Sequence, residues 1–546
     1  MKKTIIFALL LLLQTGLMFS QEKPVKPVKN VILMIPDGTS IGVVSAARWY
    51  KTYNKLGDNL NIDPYFCGTV KTFCSNAPIG DSAPTTSCYM TGIPQQAGNV
   101  AIYPVSDPAN DLYPLDPNMA YQPLVTVLEA ARIEQNKATG MVVTVEFPHA
   151  TPADCASHHY DRKDYKHLAP QIAYNNLDVM FGGGNSILTD DIKKHFKNNG
   201  TTLIQDDINA FRNFSGNNKV WALFCDREHP YDLDRNPQEV PSLSEMTEKA
   251  IGQLSKNDNG FFLMVEGSKV DWAAHTNDAV GCITEFLAFD KAVGVAIDFA
   301  KKNGETAVII LPDHGNSGFT IGRRNLSNYT RASLEKLFGN VSKYKKTSEG
   351  IEGLLLKSSP DSFRTIIKRY TGLEVTNDEL TKLLSSKNYK HEDYLRTETG
   401  IRLSYNIANI MNKHTWFGFT SYGHTGEEVF LAAYHPQGDV PMGMRTNVQI
   451  NQYLFDVLGL KTSLTERTKQ VFAKHTDVFK GLSCEIGGTQ QYPELTVKKG
   501  KNTLKVTAFK SVAQLNNKPF DIGSVVVFID KTETFYLPES LLGKLD

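Results

Sequence analysis

Four short apolar runs, at 31–35, 141–145, 261–265 and 307–311, recur along the chain without internal polar positions. Uninterrupted runs of this length predict strands buried on both faces of a parallel sheet. Longer stretches with helical spacing of apolar residues lie between them, at 121–135 and 285–302. Strands alternating with helices predict an α/β fold, a largely parallel central sheet sandwiched by helices.

Each run ends in chemically versatile residues. The first leads into Asp37-Gly38-Thr39, the second into Glu146 and then His149-Ala150-Thr151, the third into Glu266-Gly267 and the fourth into Asp313-His314. Open α/β sheets bind ligands beyond the carboxyl ends of their strands. Four such ends rich in Asp, Glu, His and Thr therefore predict a site there.

The pattern changes between His314 and His424. Pro360, after Ser359, is expected at the first position of a helix carrying Phe363, Ile366, Ile367 and Tyr370. Thr376 and Glu379 form a capping-box signature ahead of Leu380, Leu383 and Leu384. These short helices predict an insertion, 317–419, within a catalytic unit spanning 30–460. Such an insertion would either shape access to the site and support a homodimer contact, or simply decorate the surface. The C-terminal extension, 461–546, carries strand-like stretches at 495–498, 503–507 and 525–529 with Gly and Asn turns. It predicts a small β appendage.

Lys2 and Lys3 precede an apolar stretch, 4–13, that is short for a membrane span. Residues 1–20 read as a signal peptide and 21–29 as a Pro/Lys-rich linker. The expectation is a secreted or periplasmic protein with no membrane anchor after cleavage. With Lys plus Arg equal to Asp plus Glu, at 58 each, no global field attracts nucleic acid. An anionic ligand must then be held by local charge. The seven cysteines are scattered without a CxxC pair, which argues against a structural zinc cluster. One or two disulfides are expected in an oxidising compartment, their pairing open.

Asp37 and the pair Asp313-His314 suit a metal ion, the alternative for Asp37 being a cap on the following helix. Asp271 and His275, four apart, share one face of a helix and follow the strand-end Glu266. Asp81 is expected to cap a helix that opens with Ser82, and a helix N-terminus favours phosphate.

These motifs together resemble the alkaline phosphatase family, over roughly 30–460. Asp81-Ser82-Ala83 before a small-residue helix ending Thr91-Gly92 is similar to its nucleophile motif. Ala150-Thr151-Pro152-Ala153 with Asp161-Arg162-Lys163, Val265-Glu266-Gly267 with Asp271 and His275, Asp313-His314, and Gly423-His424-Thr425-Gly426-Glu427 match the others in order. The resemblance implies hydrolysis of small-molecule phosphate monoesters with two zinc ions and one magnesium ion per chain. It implies Asp271, His275 and His424 as ligands of the first zinc, and Asp313, His314 and a bridging Asp37 as ligands of the second. It implies Asp37, Thr151 and Glu266 for magnesium, Ser82 as nucleophile, Arg162 as phosphate clamp and Asp81 as its orienting partner. His149 and Trp272 stand where the best-known bacterial members carry Asp and Lys, which leaves the third metal's identity open. A sulfatase of the same superfamily would need Arg in place of Thr86. A phosphodiesterase relative usually carries a Thr nucleophile and lacks the magnesium set. A non-catalytic phosphate binder is disfavoured by intact Ser82 and Arg162. His158, His159, His167, His229 and His414 match no motif and read as structural or exposed.

Overall fold

The structure is a computed structural model that describes residues 24–387 and 402–546. The expected signal peptide, the first residues of the linker and part of the insertion lie outside the described residues.

A ten-stranded sheet organises the fold. Its strands are β1 (Asn30–Pro36), β2 (Phe66–Lys71), β3 (Ala138–Glu146), β4 (Val179–Gly183), β5 (Thr202–Gln205), β6 (Val220–Leu223), β7 (Phe261–Gly267), β8 (Thr306–Ile310), β9 (Val429–Tyr434) and β10 (Gly443–Thr446). Their order is β10-β2-β9-β8-β1-β7-β3-β4-β6-β5. Every described pairing is parallel except those of β9, which runs against β8 and β2.

The four apolar runs became the four central strands β8, β1, β7 and β3. All of their residues are buried because both faces are covered. In β1, Ile32 and Met34 enter one core while Val31, Leu33 and Ile35 enter the other. This alternation is the two-residue period of a strand clamped between two helical layers. One layer includes the long helix Ala279–Asn303, the other Val127–Gln135 and Asn447–Leu458.

Several boundaries differ from the sequence reading. The helix expected from Tyr121 begins at Val127, capped by Thr126 with Glu129 in a capping box. The residues before it are held extended, with Pro123 bridged to Ile102. Pro360 opens a single tight turn, and the helix proper runs Phe363–Thr371. The capping box at Thr376 and Glu379 forms as expected. Insertion residues Ile351, Leu355, Phe363, Ile367 and Leu383 bury against the Ala279–Asn303 side of the sheet. At the C-terminus, five antiparallel strands from Ser483 to Asp521 pack on a core of their own. All seven cysteines are free, so the expected disulfides are absent.

Candidate active site

The strand order β8-β1-β7-β3 sets Asp313, Asp37, Glu266 and Glu146 side by side along one edge. Residues far apart in sequence meet because parallel neighbours end at the same level. Asp37, Asp313, His314, Glu266 and Thr151 are all fully buried.

Two ligand sets form around this row. In the first, His275 Nε2 lies 3.1 Å from His424 Nε2 and 3.3 Å from Asp271 Oδ2, and His424 Nε2 lies 3.6 Å from Asp271 Oδ1. In the second, His314 Nε2 lies 3.5 Å from both Asp37 Oδ1 and Asp313 Oδ2. Two ligands bound at ~2.1 Å to one tetrahedral ion are separated by about 3.4 Å, so both sets fit zinc. The three imidazoles are oriented alike: the Nδ1 atoms of His275, His314 and His424 face the carbonyls of Tyr422, Gly315 and Gly80. An Nδ1–H donated to a carbonyl leaves the Nε2 lone pair directed into the cluster. The His314 and His424 rings stack with centroids 3.7 Å apart, which joins the two sets.

The helix Lys269–His275 supplies both Asp271 and His275 from one face, as their spacing requires. Gly38 makes room for Asp271. Its φ is +57°, and a Cβ there would fall 2.2 Å from Asp271 Oδ1.

A third, oxygen-only set surrounds Glu266. Asp37 Oδ2, Thr151 Oγ1 and both Glu266 oxygens are buried and make no hydrogen bond, although Thr151 and Asp37 approach Glu266. Buried polar atoms without donors are costly, and a hard cation such as magnesium satisfies such a set. Without a cation, burial pushes the Glu266 carboxyl up to about 8, with Asp313 adding to the rise. Burial and then Asp313, Asp271 and Glu266 likewise raise Asp37 well above the carboxylate range. Burial also acts to raise Asp271, but the neighbouring His275 and His424 outweigh it and hold that carboxyl low.

Ser82 opens the helix Ser82–Thr91, which closes on Gly92 with left-handed backbone. Its Oγ lies 3.3 Å from His314 Nε2 and 3.5 Å from Asp37 Oδ1. Asp81 occupies the cap position, yet its side chain makes no cap hydrogen bond. The expectation of a capping Asp81 is corrected: its carboxylate accepts from Arg162 Nη1 at 2.8 Å. Asp37 does not cap a helix either, because the following helix starts at Ile41 after Ser40. His149 and Trp272 meet edge-on at 6.0 Å between ring centroids. Burial, then Arg162, lowers the His149 imidazole to about 4, so the ring is neutral at ordinary pH.

Two contributors escaped the sequence reading. Asn316 donates to Asp271 Oδ1 at 2.7 Å and fixes that carboxylate; its place two residues after His314 was the available signal. Lys269 sits with Nζ 4.7 Å from the Trp272 ring centre and 3.8 Å from Glu349. Through Glu349 the insertion reaches the residues that back the site.

Together these features set Ser82, at a helix N-terminus, beside clustered carboxylates and imidazoles that could hold metal ions at the edge of an α/β sheet. Comparison with known proteins gives the family. The alkaline phosphatase family model matches residues 28–460. Alkaline phosphatase 3 of Bacillus subtilis is 31% identical over 456 residues, covering 81% of this chain and 91% of that protein. Alkaline phosphatase 4 of the same organism is 31% identical over 467 residues, covering 83% and 94%. The crystal structure of Thermus thermophilus alkaline phosphatase matches the fold with TM-score 0.69 at 22% identity, covering 82% of this chain and 96% of that one. The chain belongs to the alkaline phosphatase family, the metal-dependent phosphomonoesterases.

Proposed function

We propose that this enzyme cleaves phosphate monoesters in two displacements through a phosphoserine on Ser82. The observation that carries the reading is the position of Ser82 Oγ. It stands 3.3 Å from His314 Nε2 and 3.5 Å from Asp37 Oδ1, at the start of a helix whose preceding residue holds Arg162.

Asp271, His275 and His424 would hold one zinc ion, Asp37, Asp313 and His314 the other, and Asp37, Thr151 and Glu266 magnesium. When bound, two zinc ions supply Lewis acidity to activate an oxygen nucleophile and to stabilise a leaving oxygen. The protein does the rest by placement. The first N–H groups of the helix Ser82–Thr91 face the incoming phosphate with the positive end of the helix dipole. Arg162, steadied by Asp81, offers a planar fork to two phosphate oxygens. Ser82 Oγ loses its proton, attacks phosphorus and releases the alcohol. Water then attacks the phosphoserine, regenerates Ser82 and releases inorganic phosphate. His149 and Trp272, which pack edge-on with Lys269 behind the indole, would contact the phosphate or the third metal's shell.

The run of apolar residues after Lys2 and Lys3 supports export to the periplasm or beyond. Among the described residues no helix is long and apolar enough to cross a membrane.

The reading is tested by assaying a simple aryl phosphate beside the corresponding sulfate and diester, with and without chelator. The phosphate should be the strongly preferred substrate, and chelation should abolish its turnover. Zinc with magnesium should restore it. Preference for the sulfate or diester, or full activity in excess chelator, would overturn the assignment.

A further inference from the structure

The sequence reading leaves His159 and His167 as background and does not single out Asp164, yet the fold brings the three together in a cluster that shares no residue with the two ligand sets. One ligand atom from each lies within 4.8 Å of the others. Asp164 Oδ2 is 2.9 Å from His167 Nδ1 and 4.0 Å from His159 Nε2. These separations bracket the ~3.4 Å expected of ligands on one tetrahedral ion. His159 Nδ1 lies 3.1 Å from both the carbonyl oxygen and the amide nitrogen of Asp161, so the backbone anchors that side of the ring while Nε2 is turned toward Asp164.

The surroundings are those of a built site. His159 is buried and stacks on Tyr160 at 4.4 Å, while the His167 ring lies 4.4 Å from Phe509 of the C-terminal extension. Tyr160 in turn donates to Asp530 of that extension at 2.6 Å. Asp164 and His167 keep partial exposure, which leaves an entry path and room for a water as fourth ligand. Burial lowers the His159 imidazole below its ordinary value. Two imidazole nitrogens and one carboxylate oxygen suit zinc or a similar late first-row ion better than magnesium or calcium.

We propose that His159, Asp164 and His167 form an additional zinc site that fastens the Arg162 loop to the helix Tyr165–Tyr174 against the C-terminal extension. The loop carrying Arg162 is bracketed by the ligands, so the ion would restrain it from both sides. No ligand of this site belongs to the catalytic sets.

The test uses the full chain, incubated with zinc and magnesium, freed of excess metal by gel filtration and analysed for metal per chain. The His159→Ala/His167→Ala double variant should carry one zinc fewer than the parent. Asp164→Asn, which keeps the side-chain shape, should weaken the same site at least about tenfold in a zinc titration. Circular dichroism confirms that each variant is folded before metals are counted. If the double variant fails to fold, Asp164→Asn and titration of the parent with its catalytic sites already filled decide the matter. Equal zinc content in the parent and a folded variant, or no zinc uptake by the parent beyond the catalytic sets, overturns the proposal.

Discussion

Asp81 accepts a 2.8 Å hydrogen bond from Arg162, so the residue that begins the Ser82 helix orients a guanidinium and does not cap the helix. The helix N–H groups are thereby left to an external anion. Burial alone would raise the Asp81 carboxyl; Arg162, then His424 and His314, outweigh it and hold it at about 2. A folded-state value below the unfolded one contributes stability that is complete above the unfolded pKa of about 3.9 and disappears as pH falls through about 2. Asp81→Asn should therefore cost about 2 kcal/mol at pH 7 and nearly nothing at pH 2. Thermal or urea unfolding of parent and variant across this range checks it. A stability difference that does not shrink with acid would refute the linkage.

The metal-free protein should respond to pH in the opposite sense. Glu266 and Asp37 have folded-state values raised by burial and by neighbouring carboxylates. Their stability contribution is present below the unfolded carboxylate range and is lost as pH rises, for Glu266 through about 8. The chelated enzyme should melt at a higher temperature near pH 5 than near pH 8.5. Loaded with zinc and magnesium it should not show that decline. Scanning calorimetry of both forms measures it, and parallel pH profiles would count against the cation reading of the Glu266 set.

Gly38 admits no side chain. A methyl group there would overlap Asp271 Oδ1 and sit on left-handed backbone. Gly38→Ala should displace Asp271 from the first ligand set. The expected result is loss of about one zinc per chain and a fall in kcat/KM of roughly a hundredfold or more. Such a displacement is about as large as the 1 Å errors that cost catalysis two orders of magnitude. Retention of parental zinc and activity would show that the strand end is more pliant than its packing indicates.

Much of the fold was legible because it rests on local pattern. The runs that became β1, β3, β7 and β8 are apolar throughout, as strands covered on both faces must be. The polar residues after them were legible as a site because parallel neighbours end together. Details set by distant contacts were not. The Asp81–Arg162 pair was legible only through the family resemblance, because nothing near Asp81 itself shows that its carboxylate faces Arg162, 81 positions away. The start of the helix at Val127 was missed because the Pro123–Ile102 bridge holds the preceding residues extended. The cluster of His159, Asp164 and His167 escaped notice because only Asp164 and His167 share helical i, i+3 spacing, while His159 stands outside that helix. A loop, and not a regular element, turns the first of these residues toward the other two. The cysteines misled in a different way: buried positions such as Cys88, Cys155 and Cys282 are filled by a small apolar side chain with no bridge.

The central claim is that Ser82 carries the phosphoryl group between the two displacements. Incubating the enzyme with an aryl phosphate, quenching in acid and mapping the labelled peptide by mass spectrometry tests it directly. Phosphate should be found on Ser82 and nowhere else. Ser82→Ala should give no labelled peptide, lose roughly a thousandfold or more in kcat, and keep the zinc content of the parent. Phosphate on another side chain, or normal turnover by Ser82→Ala, would contradict the account.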